Sequence, residues 1–559
     1  MRGRERTFAL TEPRGEYPRP SLERKEWVSL NGEWEFGAGS ERRFDRSILV
    51  PFCAESTLSG LGELPGDVVW YRRRFDAPDA EGLLLHFGAV DYRATVWVND
   101  VEVARHEGGH VPFSADIRSV ARPRDNVLVV RAEDPLRDRT IPRGKQYWEE
   151  VPEGIFYTPT TGIWQTVWLE PLRNRHIRRL RLTGDLEAGA VEFEVDGDGE
   201  IELVAKLDGE VAGRWSGQPG RGRLQLQQAM PWHPDSPVLY ELEATLRHRG
   251  EAVDRVRSYF GLRKVETRDG RFWLNGTPFV QRLVLDQGYF LDGLLTAPSD
   301  EALRRDIELA QALGFNGARK HQKVEDPRWL YWADRLGFLV WSEMPSFHRH
   351  TAVAERRLAA EWSEVVRRDR DHPSVVTWVV ANESFGLGDV DPAVRSRFLV
   401  RLYKLTHDLD ATRPVVSNDG WEHALSDLCT IHDYSEPSSL AARYRSVESA
   451  LDGSANGHAA YDPGFGYRGE PVLVTEFGGL RVAGPGGWGW LDVKDEDEFV
   501  DAYGRLIRGL VGPGPVEGFC YTQLTDVQQE QNGLLTAERA PKVDPSLLRP
   551  LTMAPKGTL

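Results

Sequence analysis

The chain has 559 residues, 40% of them hydrophobic and 10% aromatic, a length that calls for about three domains rather than one core. Its 86 acidic against 70 basic side chains leave a net charge of -16, which opposes non-specific attraction to nucleic acid or to an anionic membrane surface and favours a neutral or small substrate. Cys53, Cys429 and Cys520 form an odd, sparse set without metal-ligand spacing and read as reduced core residues.

The opening segment, residues 1–20, has basic residues but no apolar run behind them, and no later run is long enough to span a bilayer. The expectation is a soluble, cytoplasmic protein. Residues 1–172 contain short alternating runs such as WYRRRF, LLLHFG, TVWVND, NVLVVRA and TVWLE, the pattern of an antiparallel β-sandwich or jelly roll. Asn99 and Asp100 fall where a hairpin must turn. The long polar and aromatic loop 141–162 either brings Trp148 or Tyr157 to a ligand or packs on a neighbouring domain. Residues 173–262 continue the alternation more weakly, in RRLRL, AVEFEV, IELVAKL, GRLQLQ, YELEATL and DRVRSYFGL, and suggest a second, immunoglobulin-like sandwich that acts as a spacer.

From residue 263 to 559 strand-like runs alternate with helical ones, which predicts a parallel sheet closed by helices. Eight candidate strands, FVQRLVLD, FNGARKH, FLVWSEMP, VVTWVVANES, PVVSNDGW, DLCTIHDY, PVLVTEFG and EGFCYTQLTD, fit an α/β barrel of the (β/α)8 type. Between the first two, Ser299 is a candidate N-cap for a helix through DEALRRDIELAQALG.

VVTWVVANES, residues 375–384, is the centre of this arrangement. Its apolar run suits a strand buried on both faces, and polarity arrives only at Asn382 and Glu383, at the end that faces a barrel's mouth. Glu476 ends the seventh candidate strand in the same way. Paired carboxylates at one mouth suit glycosidic bond cleavage, in which one acid is protonated to assist the leaving oxygen and the other is ionised to meet the oxocarbenium-like carbon. A retaining enzyme holds the two about 5–5.5 Å apart, and such closeness raises the affinity of one of them for its proton.

These motifs resemble glycoside hydrolase family 2 over nearly the whole chain. DYRATVWVND, GGHVPF and TGIWQTVWLE resemble its sugar-binding-like domain, and SYFGLRKVE its junction with the barrel; WLNGTPF, GFNGARKHQ, LYWADRLGFLVWSEMP, HPSVVTWVVANES and VLVTEFGG follow in the family's order. The resemblance implies that Glu383 is the general acid/base and Glu476 the nucleophile. It further implies that Asn382 binds the hydroxyl beside the reacting carbon, that Tyr434 orients the nucleophile, and that His321 contacts substrate.

Departures bear on the sugar. Where the family ends its eighth strand in a stacking Trp, CYTQ offers Tyr521, and EQNGLL lacks the Asn-x-Lys pair that holds a carboxylate in the family's glucuronidases. That argues against a uronic acid unless Arg or Lys from another loop substitutes. Asp286 and His348 are further candidates at the mouth, for binding sugar or bracing loops. GPGGWG at 484–489 does not open a helix straight after a strand and reads as a loop beside the nucleophile, with Trp488 and Trp490 as sugar stackers, rather than as a dinucleotide site. FHRH at 347–350 lacks a third metal ligand, and DEDE at 495–498 suits a helix N-terminus. The expectation is a retaining exo-β-glycosidase acting on a carbohydrate, with no metal or cofactor and no nucleic-acid or membrane partner. A homo-oligomer stays open, and the alternatives are a carbohydrate-binding member without catalysis or a transglycosidase.

Overall fold

The computed structural model describes residues 12–453 and 455–557; the first eleven residues of the basic opening segment lie outside them. In the first body a six-stranded and a four-stranded antiparallel sheet face each other. Alternate residues supply the shared core: Leu83, Leu85 and Phe87 from Gly82–Phe87 meet Val69 and Tyr71 from Val68–Phe75, and Leu128 and Val130 from Asn126–Glu133. Asn99 and Asp100 make the two-residue turn between paired Val98 and Val101, both with positive φ, a conformation that Asn and Asp tolerate.

The second body is a sandwich of three and four strands between Arg179 and Phe260. One strand there, Glu210–Gly217, is additional to those the sequence suggested. It is an edge strand with glycines at 213 and 217, so it lacks a strong apolar alternation.

The third body is a parallel eight-stranded barrel whose strands lie in the order 5-4-3-2-1-8-7-6. They are Gln281–Asp286, Gly317–Lys320, Leu339–Glu343, Val375–Val379, Val415–Val416, Cys429–His432, Val472–Glu476 and Val516–Tyr521. No ladder joins the fifth strand to the sixth. The gap is bridged by the Asp427 N–H donating to Val415 O at 2.9 Å and the Gly420 N–H donating to Thr430 Oγ1 at 3.2 Å. Between these two strands the expected helix is absent, and residues 417–428 cross directly as a loop. Inward residues Leu283, Leu285, Trp341, Val379, Leu473 and Cys520 fill the barrel floor, while Val284, Val340, Trp378, Val474 and Phe519 pack outward on the helices.

The helix N-termini follow the sequence closely. Ser299 accepts from the Ala302 N–H to cap Asp300–Ala312, and Asp495 caps Glu496–Val511 with Glu496, Asp497 and Glu498 in its first turn. All three cysteines are buried and free. No described helix is long and apolar enough to cross a membrane.

The second sandwich is pinned to the barrel by one buried carboxylate. Asp334, on helix Pro327–Leu336, accepts from Tyr259 OH at 2.9 Å, from His372 Nδ1 at 2.6 Å and from the Ser374 N–H at 2.9 Å. Burial would discharge His372, but the Asp334 charge outweighs it and raises the imidazole's pKa. Asp334→Ala would leave Tyr259 OH, His372 and the Ser374 N–H without their shared acceptor and is expected to cost about 3 kcal/mol or more. Urea unfolding should show this, whereas Tyr259→Phe should cost about 1 kcal/mol. Equal midpoints for Asp334→Ala and the unaltered protein would show that the joint does not depend on this residue.

Candidate active site

The barrel's strand ends converge on a cavity of about 480 Å³, within the range of small-ligand pockets. Glu383 reaches it by a sharp turn. After the fourth strand, the Glu383 N–H donates to Asp419 O at 2.9 Å, and Glu383 and Ser384 both adopt positive φ, near 50°. A left-handed residue without glycine's freedom costs about 1–2 kcal/mol, here offset by the Ser384 N–H bond to Asn418 Oδ1 at 3.0 Å and the Ser384 hydroxyl bond to Glu422 at 2.5 Å. Glu476 needs no such turn, being the last residue of the seventh strand.

Beneath both acids lies Arg319, fully buried on the second strand. Its guanidinium donates to Glu343 at 2.7 Å, Glu476 at 2.8 Å and Asn382 Oδ1 at 2.6 Å, with Asp419 at 2.8 Å. His432 stands between the acids: Nδ1 is 2.6 Å from Glu383 Oε1 and 3.6 Å from Glu476 Oε2, and Nε2 is 3.2 Å from Asp419. Burial works against its charge, but Glu476, Asp419 and Glu383 together push its pKa up to about 10. Glu476 is the converse case, since burial raises it while His432 and Arg319 pull it down to about 2. The hydroxyl of Tyr434 donates to Glu476 Oε2 at 2.7 Å. One carboxyl oxygen of each acid and a His432 nitrogen lie within 4.8 Å of one another. The raised imidazole donates toward these acids, so the trio is laid out for proton and charge control.

The residues singled out from the sequence divide into those at the cavity and those behind it. His321, Glu383, Tyr434 and Glu476 line it. His321 is buried and held neutral, first by desolvation and then by the Arg319 charge; its Nδ1 is 3.1 Å from Glu343 without forming a hydrogen bond. Asn382 lies just below, with Oδ1 on Arg319 and Nδ2 unpartnered.

Four other candidates are not among the cavity's lining residues. Asp286, for which bracing was one of the two readings, is taken up by Lys320 at 2.7 Å and by the Gly288 N–H and braces the first two strands. His348 bonds Gly144 O at 2.6 Å and packs on Trp148, fastening the first domain's loop. Tyr521 is fully buried between Phe477 and Tyr503, and the next residue, Thr522, faces the cavity. Trp488 is bound to Gly154 O at 3.1 Å, while Trp490 lines the cavity and stacks on Tyr434 at 4.0 Å. Loop 141–162 both packs on the barrel and enters the site, through Lys145 and Ile155; neither Trp148 nor Tyr157 is among the cavity's lining residues.

Sequence reasoning passed over His432, which adjoins Tyr434 in the HDY run. Two residues apart at a strand end, they share an inward face, and that parity was the available signal.

Comparison with known proteins gives one consistent set of relatives. The galactose-binding-domain-like model of glycosyl hydrolase 2 matches residues 59–161, the glycosyl hydrolases family 2 model 175–263, and that family's TIM barrel domain 265–489. The chain is 28% identical over 532 residues to a β-glucuronidase of Paenibacillus borealis, covering 84% of this chain and 85% of that one. Identity is also 28% over 397 residues to a β-galactosidase of Thermoanaerobacter pseudethanolicus, covering 66% and 51%. Two solved structures share the fold across 97% of this chain. A β-D-glucuronidase of Dictyoglomus thermophilum has TM-score 0.80 at 20% identity over 99% of its own chain, and a Ruminococcus gnavus β-glucuronidase in complex with D-glucuronic acid has 0.79 at 19% over 100%.

The charge arrangement can be tested by itself. Replacing His432 with Gln removes a cation 3.6 Å from Glu476, so that carboxyl should titrate about one pH unit or more higher. Carbon NMR on glutamate-labelled protein reads the shift, and an unmoved Glu476 would mean that Arg319 alone sets its charge.

Proposed function

The chain belongs to glycoside hydrolase family 2, and on that footing we propose that it is a retaining exo-β-glycosidase with Glu476 as nucleophile and Glu383 as acid/base. The observation that carries this reading is the closeness of the two carboxyl groups, with oxygens within 4.8 Å, at one cavity. An inverting pair stands about 6.5–9.5 Å apart to admit a water between acid and sugar.

In the proposed first step, a Glu476 oxygen bonds to the anomeric carbon as the bond to the leaving oxygen breaks, and Glu383 gives that oxygen a proton. In the second, Glu383 takes a proton from water, whose oxygen displaces Glu476 and releases the sugar. The pKa of about 2 supports the nucleophile's role, because Glu476 stays ionised throughout the physiological range. Tyr434 and Arg319 each bond one of its oxygens and so fix its direction of attack. The unpartnered Nδ2 of Asn382 is suited to donate to the sugar hydroxyl beside the reacting carbon. Exo action fits a single cavity walled on one side by Lys145 and Ile155 of the loop 141–162.

Glu476→Gln should cut turnover of an aryl glycoside by about 10⁴-fold or more while leaving the circular dichroism spectrum unchanged. Proton NMR of the unaltered enzyme's product should show the β-anomer first. Near-normal rates in the variant, or an initial α-anomer, would overthrow the assignment.

A further inference from the structure

Away from the two acids, the cavity has a second polar wall, built from both the first domain and the barrel. Gly144 makes it possible: its φ is +59°, its N–H donates to Ser346 O at 3.0 Å, and a Cβ there would lie 2.3 Å from Gln322 O. This close approach carries Lys145 into the cavity, 7% exposed. The ammonium lies 5.3 Å from the Phe385 ring, and among the described residues no carboxylate comes within 4.0 Å of it.

Next to it is a closed ring of hydrogen bonds. Gln287 Nε2 donates to Tyr157 OH and to Gln523 Oε1, both at 2.7 Å; Gln523 Nε2 donates to Asn532 Oδ1 at 2.7 Å; Asn532 Nδ2 donates to Glu530 Oε1 at 3.0 Å; and Tyr157 OH donates to Glu530 Oε2. Tyr157 comes from the first sandwich, and the other members come from the barrel. Glu530 receives a donor on each oxygen, so the ring presents it as an acceptor at the cavity, with burial raising its pKa against the opposing charge of Lys145. Gln287, also at the cavity, has a buried Oε1 without a partner.

We propose that Lys145, Gln287 and Glu530 read the hydroxyls of a neutral sugar, so that the substrate class is a neutral glycoside and not a uronide. This rests on the glycosidase reading above. The wall offers one cationic donor beside two acceptors, and a hydroxyl can satisfy both kinds because it donates and accepts. A substrate carboxylate only accepts. It would meet Lys145 but also face the Glu530 carboxylate, and it would leave Gln287 Oε1 buried without a donor.

The test measures binding, so it does not depend on turnover. Neutral iminosugars of gluco, galacto and manno configuration and uronic isofagomine are titrated calorimetrically into the full chain, into Glu530→Gln and into Lys145→Met. At least one neutral compound should bind about 100-fold more tightly than the uronic one. Glu530→Gln should narrow that gap about tenfold or more, and Lys145→Met should weaken the neutral compound by a similar factor. The proposal is overturned if the uronic compound binds best, if none binds, or if both variants keep the original ratios. A parallel screen of dinitrophenyl glycosides separates the two readings, since silence there together with neutral-sugar binding would remove the glycosidase and leave this wall standing.

Discussion

A single buried guanidinium holds the carboxylates of the cavity floor together. Arg319 is removed from water completely, and placing a cation there is tolerable only because Glu343, Asp419 and Glu476 surround it and Asn382 accepts its remaining edge. Its partners come from the third and seventh strands and from the segments after the fourth and fifth, so the closed barrel is what assembles the charge cluster. The same contacts fix the chemistry, since Arg319 bonds Glu476 directly and steers Glu383 through its neighbour Asn382 and through Asp419, whose carbonyl receives the Glu383 N–H. Removing Arg319 would leave buried carboxylates facing one another, which is a worse state than an empty apolar floor.

His432 adds what a guanidinium cannot. An imidazolium can sit between two acids at hydrogen-bond range of one and close to the other, and it compensates one charge of the pair. It is itself held by Asp419, so the two cations of the centre share one anion. Two cations, Arg319 and His432, are therefore set against the carboxylates, which offsets the repulsion between acids standing so close together.

Much of this was readable beforehand, and the failures have physical reasons. Strands buried on both faces announce themselves as apolar runs, and polar residues after such runs mark the mouth; Glu383 and Glu476 were visible for that cause. Tyr521 was misplaced by one residue because alternation has period two: Cys520 points inward, Tyr521 outward to the helices, and Thr522 inward again. Asp286 could not be judged from its own strand, because Lys320, which neutralises it, comes from the next. The crossing from fifth to sixth strand likewise has no helical pattern to find, and only the closed barrel shows that a loop suffices there.

Loop 141–162 posed its question as a choice between packing and binding, and the structure makes the two the same thing. Its backbone is fastened to the barrel through Gly144 and His348, and its Tyr157 completes a ring whose other members end or follow the first and eighth strands. Tyr157 supplies one of the two hydrogen bonds that orient Glu530, and Gly144 lying against Gln322 O brings Lys145 to the cavity. The two cavity carboxylates thus depend on the barrel alone, while the wall opposite them is completed only where two domains meet. A substitution in the first sandwich can therefore reshape this wall without disturbing Arg319, His432 or the carboxyl pair.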